Sequence, residues 1–136
     1  MKTEQIVCGG RIFATIFYNG PSDPGVHFYT NDTAVLQVGK QLRPKGTHIK
    51  PHRHCSVKVD RLEVLQEVLY IKQGKMNITF YDDNNKPFTA KILCSGDMIL
   101  LVQGGHGFEF LEETEMIEIK QGPYNPQATQ RLESVE

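Results

Sequence analysis

The residues best suited to chemistry in this chain are two closely spaced histidines, a glutamate and a third histidine. His52 and His54 stand two positions apart, Glu67 follows after a gap of twelve residues, and His106 lies in the last third of the chain. Residues at i and i+2 of an extended segment point to the same face. If Glu67 and His106 reach that face, three imidazoles and one carboxylate surround a single point. Such a donor set suits a divalent first-row transition metal.

The elements that must position these ligands are strands. Beyond Glu67 the sequence alternates apolar and polar residues, which is typical of half-buried strands, and polar or glycine-containing turns separate the apolar segments. Met76, Ile78 and Phe80 share one predicted face, while residues 88, 90, 92 and 94 repeat the period of two. Many short strands at such spacing predict an all-β protein, a sandwich or a barrel.

The same alternation predicts the surroundings of two ligands. Glu67 shares a face with Leu69 and Ile71, and His106 shares one with Phe108 and Phe110. Imidazole and carboxylate groups among apolar neighbours are costly to bury unless they are hydrogen-bonded or coordinated. A shared metal ion would satisfy both groups.

The alternation of apolar and polar residues is less regular in other segments. Residues 11–18 and 34–38 read as strands, residues 59–69 as an extended segment rather than a helix, and residues 121–136 as a polar tail on the surface. Apolar side chains expected in the core include Ile117, Ile119 and all seven phenylalanines, Phe13, Phe17, Phe28, Phe80, Phe88, Phe108 and Phe110.

Composition narrows the class of protein. The chain has 136 residues, 39% of them hydrophobic and 23% charged, which predicts one globular domain over residues 1–136. The formal net charge of −1 and the lack of a basic run give no reason to expect a nucleic-acid or membrane partner. Three scattered cysteines without a CxxC pair fit a reducing compartment. With no leader or membrane span visible, we expect a cytoplasmic protein.

Two sequence motifs resemble those of a single-domain cupin. The first cupin motif has a glycine, a His-x-His pair, and a glutamate followed by six residues and a glycine. It is matched by Gly46, His52, His54, Glu67 and Gly74. The second has a glycine, five residues, Pro-x-Gly and a histidine, and is matched by Gly96, Gly104 and His106. Val102 replaces the usual proline, and the histidine comes one residue early.

The resemblance implies a fold and a metal. The fold is a double-stranded β-helix, a jelly-roll barrel, with its core over about residues 34–120, an N-terminal strand over 6–18 and the tail over 121–136. One divalent ion, Mn²⁺ or Fe²⁺ in preference to Ni²⁺ or Zn²⁺, would be bound by His52, His54, Glu67 and His106 and would keep open positions for a ligand. The long segment 55–66 between His54 and Glu67 is expected at the barrel mouth, as a lid or a partner surface.

The expected function is that of a metal-dependent enzyme acting on a small polar, sugar-like or oxygenated molecule. An isomerase or epimerase and a dioxygenase are both open. A different class, a non-catalytic metal- or carbohydrate-binding cupin, is the alternative, and a metal-free dimerisation module is a third. No general base is evident, and His48 and Tyr70 are the candidates. Gln37, Arg43, Tyr70 and Gln103 are candidate hydrogen-bonding partners of a substrate. We expect a homodimer, paired through an exposed edge strand within residues 6–18.

Overall fold

The described part of the chain is all-β. The structure is a computed structural model that describes residues 1–54, 64–122 and 125–132. In these ranges ten strands form three antiparallel sheets, and a single 3-10 turn lies at Pro126–Ala128. No helix formed by the described residues is long and apolar enough to cross a membrane.

The chain divides into two compact units. The first joins Met1–Gly20 to Val64–Glu136, and the second is Pro21–Glu63. His52 and His54 therefore belong to the second unit, whereas Glu67 and His106 belong to the first. The single-domain assignment stays a prediction.

The first unit contains two antiparallel sheets. Its eight strands are β1 (Thr3–Cys8), β2 (Arg11–Phe17), β5 (Glu67–Gln73), β6 (Lys75–Tyr81), β7 (Pro87–Cys94), β8 (Met98–Leu101), β9 (Gly105–Phe110) and β10 (Glu115–Lys120). The five-stranded sheet has the order β1-β2-β8-β5-β10, and the three-stranded sheet has the order β7-β6-β9. The predicted segment 11–18 is therefore a central strand, and β1 lies at the sheet edge.

The two sheets share one hydrophobic core. Leu69 and Ile71 on β5 are fully buried, as are Met76 and Ile78 on β6, and Phe80 is nearly so. Burying an aliphatic or aromatic side chain of this size contributes roughly 1.5 to 3 kcal/mol. The predicted faces of β5 and β6 are confirmed, because each apolar set is the buried one.

The strand register places apolar residues of β10 and β7 on the solvent-exposed faces of their sheets. Residues directly opposite each other on paired strands share a face. Met116 lies opposite the buried Ile71, so Ile117 and Ile119 lie on the other face, 49% and 59% exposed. The prediction that these isoleucines are buried is wrong. On β7, Leu93 opposite Met76 is the buried residue, and Ile92 is exposed.

A buried aspartate fixes the turn between β7 and β8. Asp97 is 7% exposed, and its two carboxylate oxygens accept hydrogen bonds of 2.8 Å from the backbone amides of Asn19 and Cys94. Gly96 before it has a φ of +88°, a conformation that glycine adopts without strain. The carboxylate accepts hydrogen bonds from two amides that the strands leave unpaired, and so it stabilises the turn that leads into β8.

The second unit contains a short hairpin of β3 (Gly25–Phe28) and β4 (Gly39–Leu42). Residues 34–38 form no strand, so that prediction is wrong. Asn31 accepts hydrogen bonds from the backbone amide and hydroxyl of Thr33, and the amide of Val38 donates to the Thr30 hydroxyl. These side-chain contacts compete with strand pairing and turn the chain towards β4.

One polar cluster joins the two sheets of the first unit. Glu4 on β1 accepts a 2.6 Å hydrogen bond from the Tyr18 hydroxyl, and its other oxygen lies 2.6 Å from the Lys91 ammonium on β7. The Lys91 ammonium and then the Tyr18 hydroxyl hold the pKa of Glu4 below its ordinary value. Burial, together with the bond to Glu4, raises the pKa of Tyr18 to about 12. The cluster favours an ionised Glu4 and a neutral Tyr18.

We expect Glu4→Gln to destabilise the protein by about 1 kcal/mol at pH 7, since the ion pair is partly exposed. The folded-state pKa of Glu4 lies below its unfolded value, so its contribution is present above the unfolded pKa and is lost as pH falls through the folded one. Urea unfolding at pH 7 and at pH 3 measures this difference. Glu115→Gln, which breaks the exposed pair with Lys72, is the control and should change little. An equal loss for Glu4→Gln at both pH values would contradict the expectation.

Candidate metal site

Both sheets of the first unit contribute to a cleft of about 1140 Å³. The five-stranded sheet supplies Glu67, Leu101 and Lys120, and the three-stranded sheet supplies Tyr81 and His106. The C-terminal residues 125 and 128–132 also line it. Two predicted metal ligands therefore lie in one cavity.

The side chains of Glu67 and His106 approach each other within this cleft. Glu67 begins β5 on the face that carries Leu69 and Ile71, and His106 on β9 lies opposite the buried Phe80. His106 Nε2 and Glu67 Oε2 are 4.0 Å apart, and the two side chains are 29% and 23% exposed. The two donors are mostly shielded from water yet open to a ligand.

The loop before His106 is held by its packing against β2. The backbone amides of Val102 and Gln103 both donate to the Phe13 carbonyl, and the Gln103 side-chain amide donates to the Ile12 carbonyl. Gly104 has a φ of +83°, and a Cβ there would overlap the Phe13 ring. The second-motif glycine is thus required by both backbone conformation and space.

The donor chemistry and spacing of Glu67 and His106 fit half of the predicted metal site. An ion bound at about 2.1 Å to both atoms would hold them about 3 to 3.5 Å apart. The observed 4.0 Å separation exceeds this by less than about 1 Å, within the reach of small side-chain rotations. Carboxylate oxygen and imidazole nitrogen are both donors for manganese, iron, nickel and zinc.

His52 and His54 lie near each other in the second unit, outside any regular strand. Their ring centroids are 5.2 Å apart, and both residues are exposed. Nδ1 of His52 donates to the Lys50 carbonyl at 3.0 Å, because a carbonyl can only accept. In the neutral ring this leaves Nε2 as the lone-pair donor for a ligand.

The complete four-ligand set stays a prediction. Among residues 1–54, 64–122 and 125–132, no group of three or more His, Cys, Asp or Glu side chains is placed to hold a metal ion. Most of the predicted lid, residues 55–63 of 55–66, falls outside the described residues, as do residues 59–63 of the predicted extended segment 59–69.

The residues predicted as a general base or as substrate contacts lie in different parts of the chain. Tyr70 is 40% exposed on the face of β5 opposite to Glu67, so it is not a base for chemistry beside that residue. Gln37 and Arg43 bond locally within the second unit, which also contains His48. Gln103 lines the cleft.

Sequence patterns did not predict the cationic side chains of the cleft. Lys120 lies directly opposite Glu67 in the register of β10 and β5, and Arg131 lines the cleft from the C-terminal segment. The alternation of β10 offered a signal for Lys120, but placing Ile117 and Ile119 inward put Lys120 on the outer face.

Comparisons of this chain with protein-family models, with curated proteins and with solved structures find no match. The resemblance to cupins therefore depends on the two motifs alone.

Proposed function

We propose that this chain is a single-domain cupin with a double-stranded β-helix fold, and that it binds one divalent transition metal, Mn²⁺ or Fe²⁺ in preference. His52, His54, Glu67 and His106 are the proposed ligands. The site acts on a small polar, sugar-like or oxygenated molecule by isomerisation or by dioxygen chemistry. The proposed assembly is a homodimer, for which β1 is the available edge strand within the N-terminal hairpin.

One observation carries the metal proposal: two motif residues distant in sequence meet in a cleft. Glu67 comes from the first motif and His106 from the second, they lie on different sheets, and their donor atoms are 4.0 Å apart. Strand pairing determines the positions of both residues, because Glu67 lies opposite Leu101 and Lys120 and His106 lies opposite Phe80. A purely structural pair of this kind would not need to face a cavity of substrate size.

The residues of the cleft divide into a reactive end and a binding wall. Glu67 and His106 form the reactive end, where a bound ion would supply Lewis acidity to a substrate oxygen. Leu101 and Leu132 give the wall an apolar part, which excludes water and strengthens electrostatic interactions nearby. Such a combination is typical of sites for small organic molecules.

Turnover measurements test the proposal. Purified full-length protein is incubated with a panel of keto-sugars, aldoses and diols, with and without added Mn²⁺ or Fe²⁺, under air and under anaerobic conditions. We expect conversion of at least one compound that depends on the metal and is lost in Glu67→Ala. Binding of these compounds without conversion under every condition would contradict the enzyme and favour a non-catalytic binding protein.

A further inference from the structure

The cleft beside Glu67 and His106 has an excess of positive charge. Lys86, Lys120 and Arg131 line it, whereas Glu67 is the one carboxylate among its described lining residues. The whole chain, by contrast, has a formal net charge of −1. The excess is therefore local to the cleft.

The three cations reach the cleft from three separate elements. Lys86 belongs to the turn between β6 and β7, Lys120 ends β10, and Arg131 follows the 3-10 turn at Pro126–Ala128. Lys120 is already engaged, because its ammonium lies 3.0 Å from a carboxylate oxygen of Glu118. Within the described part of the chain, Lys86 and Arg131 form no ion pair, so their charges are available to a ligand.

Arg131 is held at the cleft by the packing of its own segment. Asn125 begins the 3-10 turn by accepting a 2.9 Å hydrogen bond from the amide of Gln127. Leu132 packs so closely on Gly105 that a Cβ at Gly105 would lie 2.6 Å from Leu132 Cδ1. Leu132 follows Arg131 directly, so this contact places the backbone of Arg131 near the strand that carries His106.

We propose that the cleft binds a small organic anion, a carboxylate or a phosphate ester. Its charged end binds Arg131 and Lys86, and its reacting end lies by Glu67 and His106. A guanidinium group matches the two oxygens of a carboxylate or phosphate in a bidentate geometry, and a cation on a cleft wall attracts anions over longer distances. The inference deepens the proposed function and rests on it in taking the same cleft as the substrate site.

Titration with inorganic phosphate tests the inference by two-dimensional amide NMR at low ionic strength. The full-length protein is examined as purified and after removal of metal by chelation and desalting. We expect phosphate to shift the amides of Gly105, His106 and Arg131 in both preparations, and glycerol, which is uncharged, to leave them unchanged. Arg131→Gln should weaken phosphate binding at least fivefold, and Lys86→Gln should weaken it less.

Arg43→Gln is the matched control, because it removes the same charge from an exposed arginine outside the cleft. It should leave phosphate binding unchanged. Equal binding by Arg131→Gln and Arg43→Gln, or shifts only in metal-loaded protein that persist in Arg131→Gln, would overturn the inference. Phosphate binding that depends on Arg131 in a protein without any metal affinity would instead overturn the metal proposal and leave this one standing.

Discussion

Gly104→Ala is expected to destabilise the first unit by about 2 to 5 kcal/mol. An alanine at the observed φ of +83° costs about 1 to 2 kcal/mol, and its Cβ would overlap the Phe13 ring, which is fully buried. Forcing extra volume into a packed core adds typically about 1 to 3 kcal/mol. This is a large share of the stability of an ordinary domain. The free energy of unfolding in urea measures the effect.

Gly10→Ala separates the two causes. Gly10 has a φ of +73° but no atom within 4 Å of the position of a Cβ, so its substitution carries the conformational cost without the overlap. We expect it to lose only about 1 to 2 kcal/mol. A loss in Gly104→Ala no greater than in Gly10→Ala would show that Phe13 does not pack against Gly104 as described.

Glu67→Ala and His106→Ala are each expected to reduce the metal bound per chain by more than about tenfold, and His54→Ala should do the same. Loss of a residue that merely supports a ligand already costs 10- to 100-fold in affinity, and loss of a ligand removes a coordinate bond outright. Elemental analysis of freshly purified protein measures the metal. A metal that binds only the folded state stabilises it, by about 2.7 kcal/mol when the free metal concentration is 100 times the dissociation constant. Variants that lose the metal should therefore also have a lower midpoint of thermal unfolding.

Two variants control for general damage. His27→Ala removes a half-buried histidine of the second unit whose ring bonds to the Pro24 carbonyl, and Glu118→Ala removes a carboxylate from the inner face of β10, opposite Leu69. Both should retain metal. Unchanged metal content in Glu67→Ala or His106→Ala would remove that residue from the ligand set and with it the observation that supports the proposed function.

The sequence predicted strand faces well where only one face was apolar. Met76, Ile78 and Phe80 alternate with polar residues on β6, and they are the buried set. On β10 both faces carry apolar residues, and only the pairing of Met116 with Ile71 decides which is inside. Phenylalanine was a poor guide for a different reason: Phe108 and Phe110 lie opposite the buried Ile78 and Met76, but β9 is the edge strand of its sheet. Phe13, Phe17 and Phe80 are buried, but Phe28, Phe88, Phe108 and Phe110 are 36% exposed or more.

The candidate site was predictable as far as it depended on motif spacing. Alternation within β5 correctly placed Glu67 beside Leu69 and Ile71, and the approach of His106 followed from the two motifs. The three cationic residues of the cleft were not predictable from the sequence. Lys86, Lys120 and Arg131 belong to separate elements, and no regular spacing relates them. Their approach depends on strand pairing between distant parts of the sequence and on the contact of Leu132 with Gly105. Local sequence patterns encode neither.

The strand order has a consequence for synthesis of the chain. β2 is completed at Phe17, but the strand that pairs with its open side, β8, begins only at Met98. At ribosomal rates of about 5 to 20 residues per second, the nascent hairpin of β1 and β2 waits roughly 4 to 16 seconds with the backbone edge of β2 unpaired and its apolar side chains uncovered. During that interval the emerging chain is open to association with other polypeptides, and a shielding chaperone would act at this stage.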